Sequence, residues 1–274
     1  MFLFYKARLD SLLDKDYMQR TNESIPMDLV GFGWLPDLPD HRDYMLTLPP
    51  MEDQIPSKVD LRSNDSTIFD QGNLGSCTGN ATAAAYMFNL KRQKESLFTP
   101  SRLFIYYNGR KAMGTVKQDS GAMLRDCIKS VNVDGVCNED TWPYDINRFT
   151  KKPKRKCYKE ASNHQSISYS RVPRSLDSFK ACLAYGLPFV FGFAVYESFV
   201  TRQVAQTGMM TWPTKDEKAL GGHAVCCVGY DDSLDNGRFI VRNSWGDRWG
   251  DKGYFYMPYE YLTTKGLEIG RAHV

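Results

Sequence analysis

The hydrophobic pattern of the chain changes its period near residue 165, and this change constrains the fold more than any other feature. Before it, apolar residues recur at helical spacing in a long segment from Cys77 to about Glu95, and in segments near 101–112 and 121–133. After it, short aromatic and β-branched runs bounded by Gly, Asp and Asn are typical of strands. These runs are Phe189–Val195, His223–Tyr230, Arg238–Arg242 and Gly253–Met257. Helices first and strands second predict an α+β fold with two packed subdomains.

The N-terminal region differs from both halves. Residues 1–20 have the apolar spacing of a short amphipathic helix, and residues 26–56 are rich in prolines that forbid a long helix. These prolines are Pro26, Pro36, Pro39, Pro49, Pro50 and Pro56. We therefore expect residues 1–54 to be an arm without a core of its own. A helical unit at 55–165 and a β-rich unit at 166–274 follow it.

Composition excludes several classes of protein. The 274 residues are enough to bury a core, and a formal charge of 35 − 32 = +3 gives no bulk attraction to nucleic acid or membrane. The N-terminus has only a brief apolar run, which predicts no secretory signal and an intracellular protein, cytoplasmic or packaged in a particle. Most of the seven cysteines should then be reduced thiols. No Cys-x-x-Cys pair is present, so a structural zinc site has little support and we expect no metal. We also expect no cofactor and a monomer.

One basic run, Lys151-Lys-Pro-Lys-Arg-Lys156, is the only feature that hints at nucleic acid. A run of this length is more often a solvated loop, here between the two predicted subdomains. We therefore expect no nucleic-acid partner.

The segment Gln71-Gly-Asn-Leu-Gly-Ser-Cys-Thr78 directly precedes the long helical pattern. A cysteine at a helix N-terminus faces free N–H groups and the positive end of the helix dipole, which lower the pKa of a thiol. The thiolate is the nucleophilic form, so Cys77 is a candidate nucleophile. Read on its own, the same segment also fits a buried structural thiol.

A base and its orienting partner are also found in the second half. His223 follows two glycines at an apolar strand, and is the one of four histidines placed to project into a cleft. Asn243 begins Asn-Ser-Trp-Gly after the run Arg238–Arg242, and its side-chain oxygen can accept a hydrogen bond from a histidine ring. Trp245 and Trp249 are spaced to keep water from that bond.

Taken in order, Gln-…-Cys, Gly-His-Ala and Asn-Ser-Trp-Gly resemble the papain family of cysteine peptidases. The likeness covers about residues 55–260, including Ile55-Pro-Ser-Lys-Val-Asp-Leu-Arg62 and Gly253-Tyr-Phe-Tyr256. It implies a helical left subdomain and a β-barrel-like right subdomain, with the active site in the cleft between them.

The resemblance also assigns roles to single residues. Gln71 would donate to the oxyanion from its side chain, Cys77 and His223 would form a thiolate–imidazolium pair, and Asn243 would orient His223. Ser120 and Gly121 stand where the family pairs its backbone with substrate. The remaining residues expected to bind the substrate are Gly75, Gly222 and Trp245.

Some positions depart from the family pattern. Leu74 stands where a cysteine that forms a disulfide is usual, and Thr78 stands where an aromatic residue is usual. No histidine occurs between residues 42 and 163, so the paired-histidine loop of the dipeptide-trimming branch is absent. We therefore expect endopeptidase action on a peptide or protein substrate.

The arm also carries a hypothesis. Residues 33–40 form a proline-stiffened strip with one tryptophan and two leucines, and a stiff extended chain binds with little loss of entropy. We expect residues 1 to about 54 to cover the cleft in a zymogen, although such an arm could also simply pack on the surface.

Two other functions remain compatible with the sequence: a catalytically idle binding protein, and an acyl transferase using the same Cys–His pair. The specificity pocket is expected to involve Phe193, Val195 and a C-terminal residue such as Glu268.

Overall fold

The computed structural model describes residues 31–38, 44–49, 55–166, 168–264 and 273. The helix expected in residues 1–20 and the side chain of Glu268 lie outside these residues. Within the described part, the α+β prediction is confirmed, since helices fill the first half and an antiparallel sheet fills most of the second. No helix in these ranges is both long and apolar enough to cross a membrane.

The first half is a helical layer with its own apolar core. Its helices are α1 (Cys77–Gln93), α2 (Arg102–Ala112), α3 (Leu124–Val133) and α4 (Arg155–Ala161), with 3₁₀ turns at Arg62–Asn64 and Ile146–Arg148. The α1 helix ends because Lys94 takes the left-handed conformation at φ 59° and donates its N–H to the carbonyl oxygen of Leu90. Ser101 begins α2 by accepting the N–H of Phe104.

The second half is built on a long central strand. The strands are β1 (Trp34–Leu35), β2 (Lys58–Asp60), β3 (Ala122–Met123), β4 (Phe189–Tyr196), β5 (Ala219–Asp231), β6 (Arg238–Arg242) and β7 (Tyr254–Pro258). One sheet runs β2-β5-β6-β7, and β4 also pairs with β5. Among the described strands β7 pairs only with β6, so this sheet is open and the barrel-like closure expected for this half is not found.

Three short helices of the second half lack a clear sequence signal. They are α5 (Leu176–Ala184), α6 (Arg202–Thr207) and α7 (Tyr259–Thr263), and a 3₁₀ turn at Glu197–Val200 precedes α6. Each spans fewer than three turns, too few for a helical period to stand out. Packing supports them instead, since Phe179, Cys182 and Leu183 of α5 are fully buried in the core of the sheet.

The two halves are joined by shared structure. Strand β2 precedes the helical layer in the chain but pairs with β5, with Val59 opposite Tyr230. A third apolar cluster lies between α1 and β5 and includes Cys77, Ala81, Ala224 and Trp34. All seven cysteines are buried free thiols.

Candidate active site

Cys77 is the first residue of α1, and none of its surface is exposed. Burial raises the pKa of its thiol to about 11, although hydrogen bonds from the backbone of Ala224, Gly33 and Thr78 act in the opposite direction. This differs from the sequence-based expectation of a lowered pKa. The reason is that removing water from the thiolate outweighs the stabilisation by neighbouring N–H groups.

His223 and Asn243 form one buried hydrogen bond between strand β5 and the end of β6. Nε2 of His223 lies 2.8 Å from Oδ1 of Asn243. That atom of Asn243 is the oxygen, because the backbone N–H of Ser244 also donates to it at 2.8 Å. Nε2 therefore carries the proton, and Nδ1, which has no hydrogen-bond partner, is the nitrogen free to act as a base.

Aromatic side chains enclose this imidazole. The Trp245 ring lies 4.9 Å from the His223 ring with an interplanar angle of 31°, and Trp249 packs edge-on against Trp245. Phe193 meets the imidazole from the sheet side at 5.9 Å. Trp245 thus covers the histidine and Trp249 supports it from behind, while the predicted contact of Trp245 with the substrate stays a prediction.

Burial also lowers the pKa of His223 to about 4, partly offset by the hydrogen bond that its Nε2 donates to Asn243. Combined with the raised pKa of Cys77, this favours a neutral thiol at Cys77 and a neutral imidazole at His223 at neutral pH. The thiolate–imidazolium pair expected from the family resemblance stays a prediction for the cleft when it is open to water.

Gln71 lies below the nucleophile with its side-chain amide fully constrained. Oε1 accepts the hydroxyl of Ser244 at 2.5 Å, and Nε2 donates to the carbonyl oxygens of Gly31 and Leu74 at 2.9 Å each. Both of these partners can only accept, so the amide orientation is fixed, with its N–H groups donated to the arm carbonyl of Gly31 and to the carbonyl of Leu74 in its own loop. Ser244 was not singled out in the sequence, although it directly follows Asn243.

Residues 31–35 of the arm fill the cleft above these groups. The Phe32 ring lies 6.2 Å from the His223 ring and 6.1 Å from the Trp245 ring, both edge-on. Gly33 lies so close to the nucleophile loop that a Cβ at this position would be 1.7 Å from the carbonyl oxygen of Gly75. No side chain other than hydrogen would allow this approach.

The next arm residue inserts its side chain into a slot. The indole of Trp34 is 4% exposed and lies between two glycines: a Cβ on Gly192 would be 2.1 Å from the ring, and one on Gly222 would be 2.7 Å from it. Its Nε1 has no hydrogen-bond partner, so the slot is apolar. Gly222 therefore contacts the arm, and its role in binding the substrate stays a prediction.

Phe193 and Val195 do not line this slot. In β4 the residues alternate, and both side chains face the core of the sheet on the opposite side from Gly192. The expectation that they shape a cleft pocket was wrong. Alternation along a strand separates its two faces, but the sequence does not show which face meets the cleft.

The remaining predicted contacts lie along the other wall. The N–H of Ala122 donates to the carbonyl of Gly33 at 2.8 Å, and Trp34 is opposite Ala122 in a parallel pair of strands. Gly121, at φ +71°, leaves room for that carbonyl, since a Cβ there would be 2.2 Å from it. The hydroxyl of Ser120 turns away and bonds to Thr115 at 2.7 Å.

Comparisons with known proteins agree with this arrangement. The family model described as papain family cysteine protease matches residues 55–269. The crystal structure of xylellain, a cysteine protease from Xylella fastidiosa, is 44% identical, with a TM-score of 0.81 over 91% of this chain and 97% of that one.

Two curated proteins give the same result. An uncharacterized peptidase C1-like protein of Acanthamoeba polyphaga mimivirus is 40% identical over 263 residues, covering 86% of this chain and 84% of that protein. Cysteine proteinase 1 of Entamoeba histolytica is 29% identical over 76% of this chain and 65% of its own length. The chain therefore belongs to the papain family and is a cysteine-type peptidase.

Proposed function

We propose that the protein is a cysteine endopeptidase made in a latent form. Cys77 is the nucleophile, His223 the base, Asn243 the residue that orients it and Gln71 the oxyanion donor. The observation that carries this proposal is the fixed tautomer of His223, whose Nε2 is committed to Asn243 at 2.8 Å while Nδ1 stays unpaired.

The chemistry follows from these roles. The thiol proton moves to Nδ1 of His223, and Sγ attacks the peptide carbonyl carbon as the oxyanion is held by Nε2 of Gln71 and the N–H of Cys77. The C–N bond then breaks, the amine leaves with the proton from His223, and a thioester remains on Cys77. Water gives a proton to His223 and attacks the thioester, which releases the acid and restores the thiol.

The described arm residues support latency. The rings of Phe32 and Trp34 cover the imidazole and fill the slot, and the nucleophile is completely buried beneath them. Two further contacts fasten the strip beyond the slot: Asp37 accepts the N–H of Arg125 at the start of α3, and the Arg125 guanidinium donates to the carbonyl of Leu38.

The register of the arm explains why it would resist cleavage. A peptide bond that is attacked must present its carbonyl carbon to Sγ and its oxygen to Gln71 together. In the arm, Gln71 holds the carbonyl of Gly31, whereas the hydrogen bond from Gly33 lowers the pKa of the Cys77 thiol and is therefore donated by its N–H. The carbonyl of Gly33 is engaged by Ala122 instead.

The slot suggests the substrate. A gap between two glycines with no polar partner for the indole N–H accepts a flat apolar ring. We expect peptides that place Phe or Trp in this slot to be cleaved in preference to those that place Lys or Asp there. Sequencing the products of a random peptide library would show the preference as one enriched position relative to the cleaved bond.

The decisive test is labelling by an epoxide inhibitor of active-site thiols, located by peptide mapping in the full chain. Trp34→Ala should speed labelling at Cys77 by at least about tenfold, since emptying a buried tryptophan site costs about 3–5 kcal/mol. Leu38→Ala changes the same strip at an exposed side chain and should leave the rate unchanged.

His223→Ala should abolish selective labelling. Selective labelling without peptide hydrolysis by the Trp34→Ala protein would exclude the endopeptidase, and equal labelling of the full chain and Trp34→Ala would exclude the latent form.

A further inference from the structure

The loop that carries the nucleophile has no covalent tether. Residues 71–77 run from the predicted oxyanion donor to the nucleophile, and no disulfide fastens this loop, because Cys77 is a free thiol and the loop holds no other cysteine. Both ends of this loop nevertheless meet one atom from elsewhere in the chain, the hydroxyl oxygen of Tyr144.

Tyr144 donates one of these two hydrogen bonds and accepts the other. Tyr144 donates its proton to the carbonyl oxygen of Gln71 at 2.9 Å, because a carbonyl can only accept. The 2.5 Å contact between Tyr144 and Ser76 must then be donated by the serine. Burial raises the pKa of Tyr144 to about 12, so the hydroxyl remains a donor at any pH at which an enzyme would work.

The ring of Tyr144 is held in place by a buried arginine, Arg102. The guanidinium of Arg102 lies 3.9 Å above its ring and forms a 2.6 Å ion pair with Glu139. The same guanidinium donates to the carbonyl of Asp70, just before the loop, and to the side chain of Asn80 in α1. The tyrosine is therefore a fixed point in the helical layer and not a side chain that follows the loop.

We propose that Tyr144 is a positioning residue, whose single hydroxyl sets the spacing between the Gln71 amide and the Cys77 thiol. This inference rests on the proposed function, which gives Gln71 and Cys77 their roles. An oxyanion donor is effective only within about 2.7–3.1 Å of the developing charge. A loop that lost these two hydrogen bonds would keep its other contacts, but the distance between Gln71 and Cys77 could drift while each group stayed present.

Tyr144→Phe is a clean test, because it removes one oxygen and keeps the ring on Arg102. In the full chain carrying Trp34→Ala, it should lower kcat for peptide hydrolysis about tenfold or more, since misplacement by 1 Å can cost about 100-fold. KM and the rate of Cys77 alkylation by iodoacetamide should stay within about twofold, because neither uses the oxyanion site.

Tyr158→Phe is the matched control. Tyr158 lies in the same helical core and donates a 2.9 Å hydrogen bond to the side chain of Asn108, away from the site. It should leave kcat unchanged. Should Tyr144→Phe fail to fold, Ser76→Ala removes the other partner and should lower kcat without changing alkylation.

A peptide aldehyde separates this inference from the proposed function. It adds to the thiol and places an oxyanion-like oxygen near Gln71 without any hydrolysis. Tyr144→Phe should weaken protection of Cys77 by the aldehyde about tenfold even in a protein that cleaves no peptide. An unchanged kcat and unchanged protection, or an equal fall in alkylation, would overturn the positioning role.

Discussion

At the scale of single residues, the slot is wide enough for an indole because two of its lining residues are glycines without a Cβ atom. Gly192 and Gly222 each leave the place of a Cβ to the Trp34 ring, so one methyl group at either position competes with the indole. Gly192 needs no unusual backbone conformation, which means that its role is the close approach itself. This makes it a suitable position for testing the slot without straining the strand.

Gly192→Ala should therefore weaken docking of the arm. The added carbon would be 2.1 Å from the ring, a separation that must be relieved by moving the tryptophan. We expect the full chain to react with an epoxide inhibitor at Cys77 several-fold faster, since overpacking a buried site costs about 1–3 kcal/mol. In the Trp34→Ala background the same change should have no further effect, and a further acceleration would contradict the slot.

Ser244→Ala tests the fixed amide of Gln71. Removing the hydroxyl leaves Oε1 without its 2.5 Å donor and lets the amide turn its N–H groups away from the cleft. In the full chain carrying Trp34→Ala we expect kcat to fall about tenfold with KM unchanged, less than the about 100–1000-fold expected for Gln71→Ala. If Ser244 acts through Gln71, adding Ser244→Ala to Gln71→Ala should change kcat no further.

At the scale of elements, docking of the arm is coupled to the protonation of His223. In the docked form burial lowers the pKa of His223 from the ordinary 6.5 to about 4, and we expect release of the arm to raise it back towards 6.5. Between these values the open form binds a proton that the docked form rejects, so docking is weakened as the pH falls from about 6.5 towards 4. At 1.36 kcal/mol per pH unit the loss is at most about 3 kcal/mol, because Trp245 keeps part of the burial after release.

Opening of the arm should consequently increase in acid. Pulsed hydrogen exchange of the peptide containing Gly33 and Trp34 should be faster at pH 5 than at pH 7 after correction for the intrinsic exchange rate, while strand β6 remains protected. His223→Ala should remove most of this dependence. Equal protection of the arm at both values would mean that the imidazole is not the group that opposes docking.

The sequence predicted the elements better than their contacts. Helix α1 was predicted to begin at Cys77 and end near Glu95, and it ends at Gln93. Apart from Gly253, the four strand runs lie in strands of the sheet, because each has an aromatic or β-branched run with clear boundaries.

The features that could not be predicted from the sequence depend on contacts between residues far apart in the chain. The sequence alone leaves undetermined which face of β4 meets the cleft, the register of the arm on Gln71, and the neutral thiol and imidazole. Each depends on residues brought together from both halves and the arm. The proposed roles of Cys77, His223, Asn243 and Gln71 were inferred from motifs and from the family resemblance. No sequence motif indicates a role for Ser244 or Tyr144, which only their hydrogen bonds in the structure suggest.

At the scale of the whole molecule, the two predicted subdomains share too much structure to be independent. Strand β2 belongs to the helical half by sequence and to the sheet by pairing. Next to it, Arg242 of β6 forms an ion pair with Asp65, and both side chains are at most 3% exposed. The same guanidinium donates to the carbonyls of Ser66 and Thr67, and Tyr254 donates to Asp65 at 2.8 Å.

This ion pair, the most buried one in the described part of the chain, links the sheet to the segment that leads to the nucleophile loop. Asp65→Ala should lower the free energy of unfolding by about 3–5 kcal/mol, because it leaves the buried Arg242 charge without its partner. Urea denaturation followed by circular dichroism would measure the loss. The double variant Asp65→Ala with Arg242→Met should be more stable than Asp65→Ala alone, since the unpaired charge is then also removed. If the single variant lost less than about 1 kcal/mol, as an exposed pair would, the two halves would not depend on this contact.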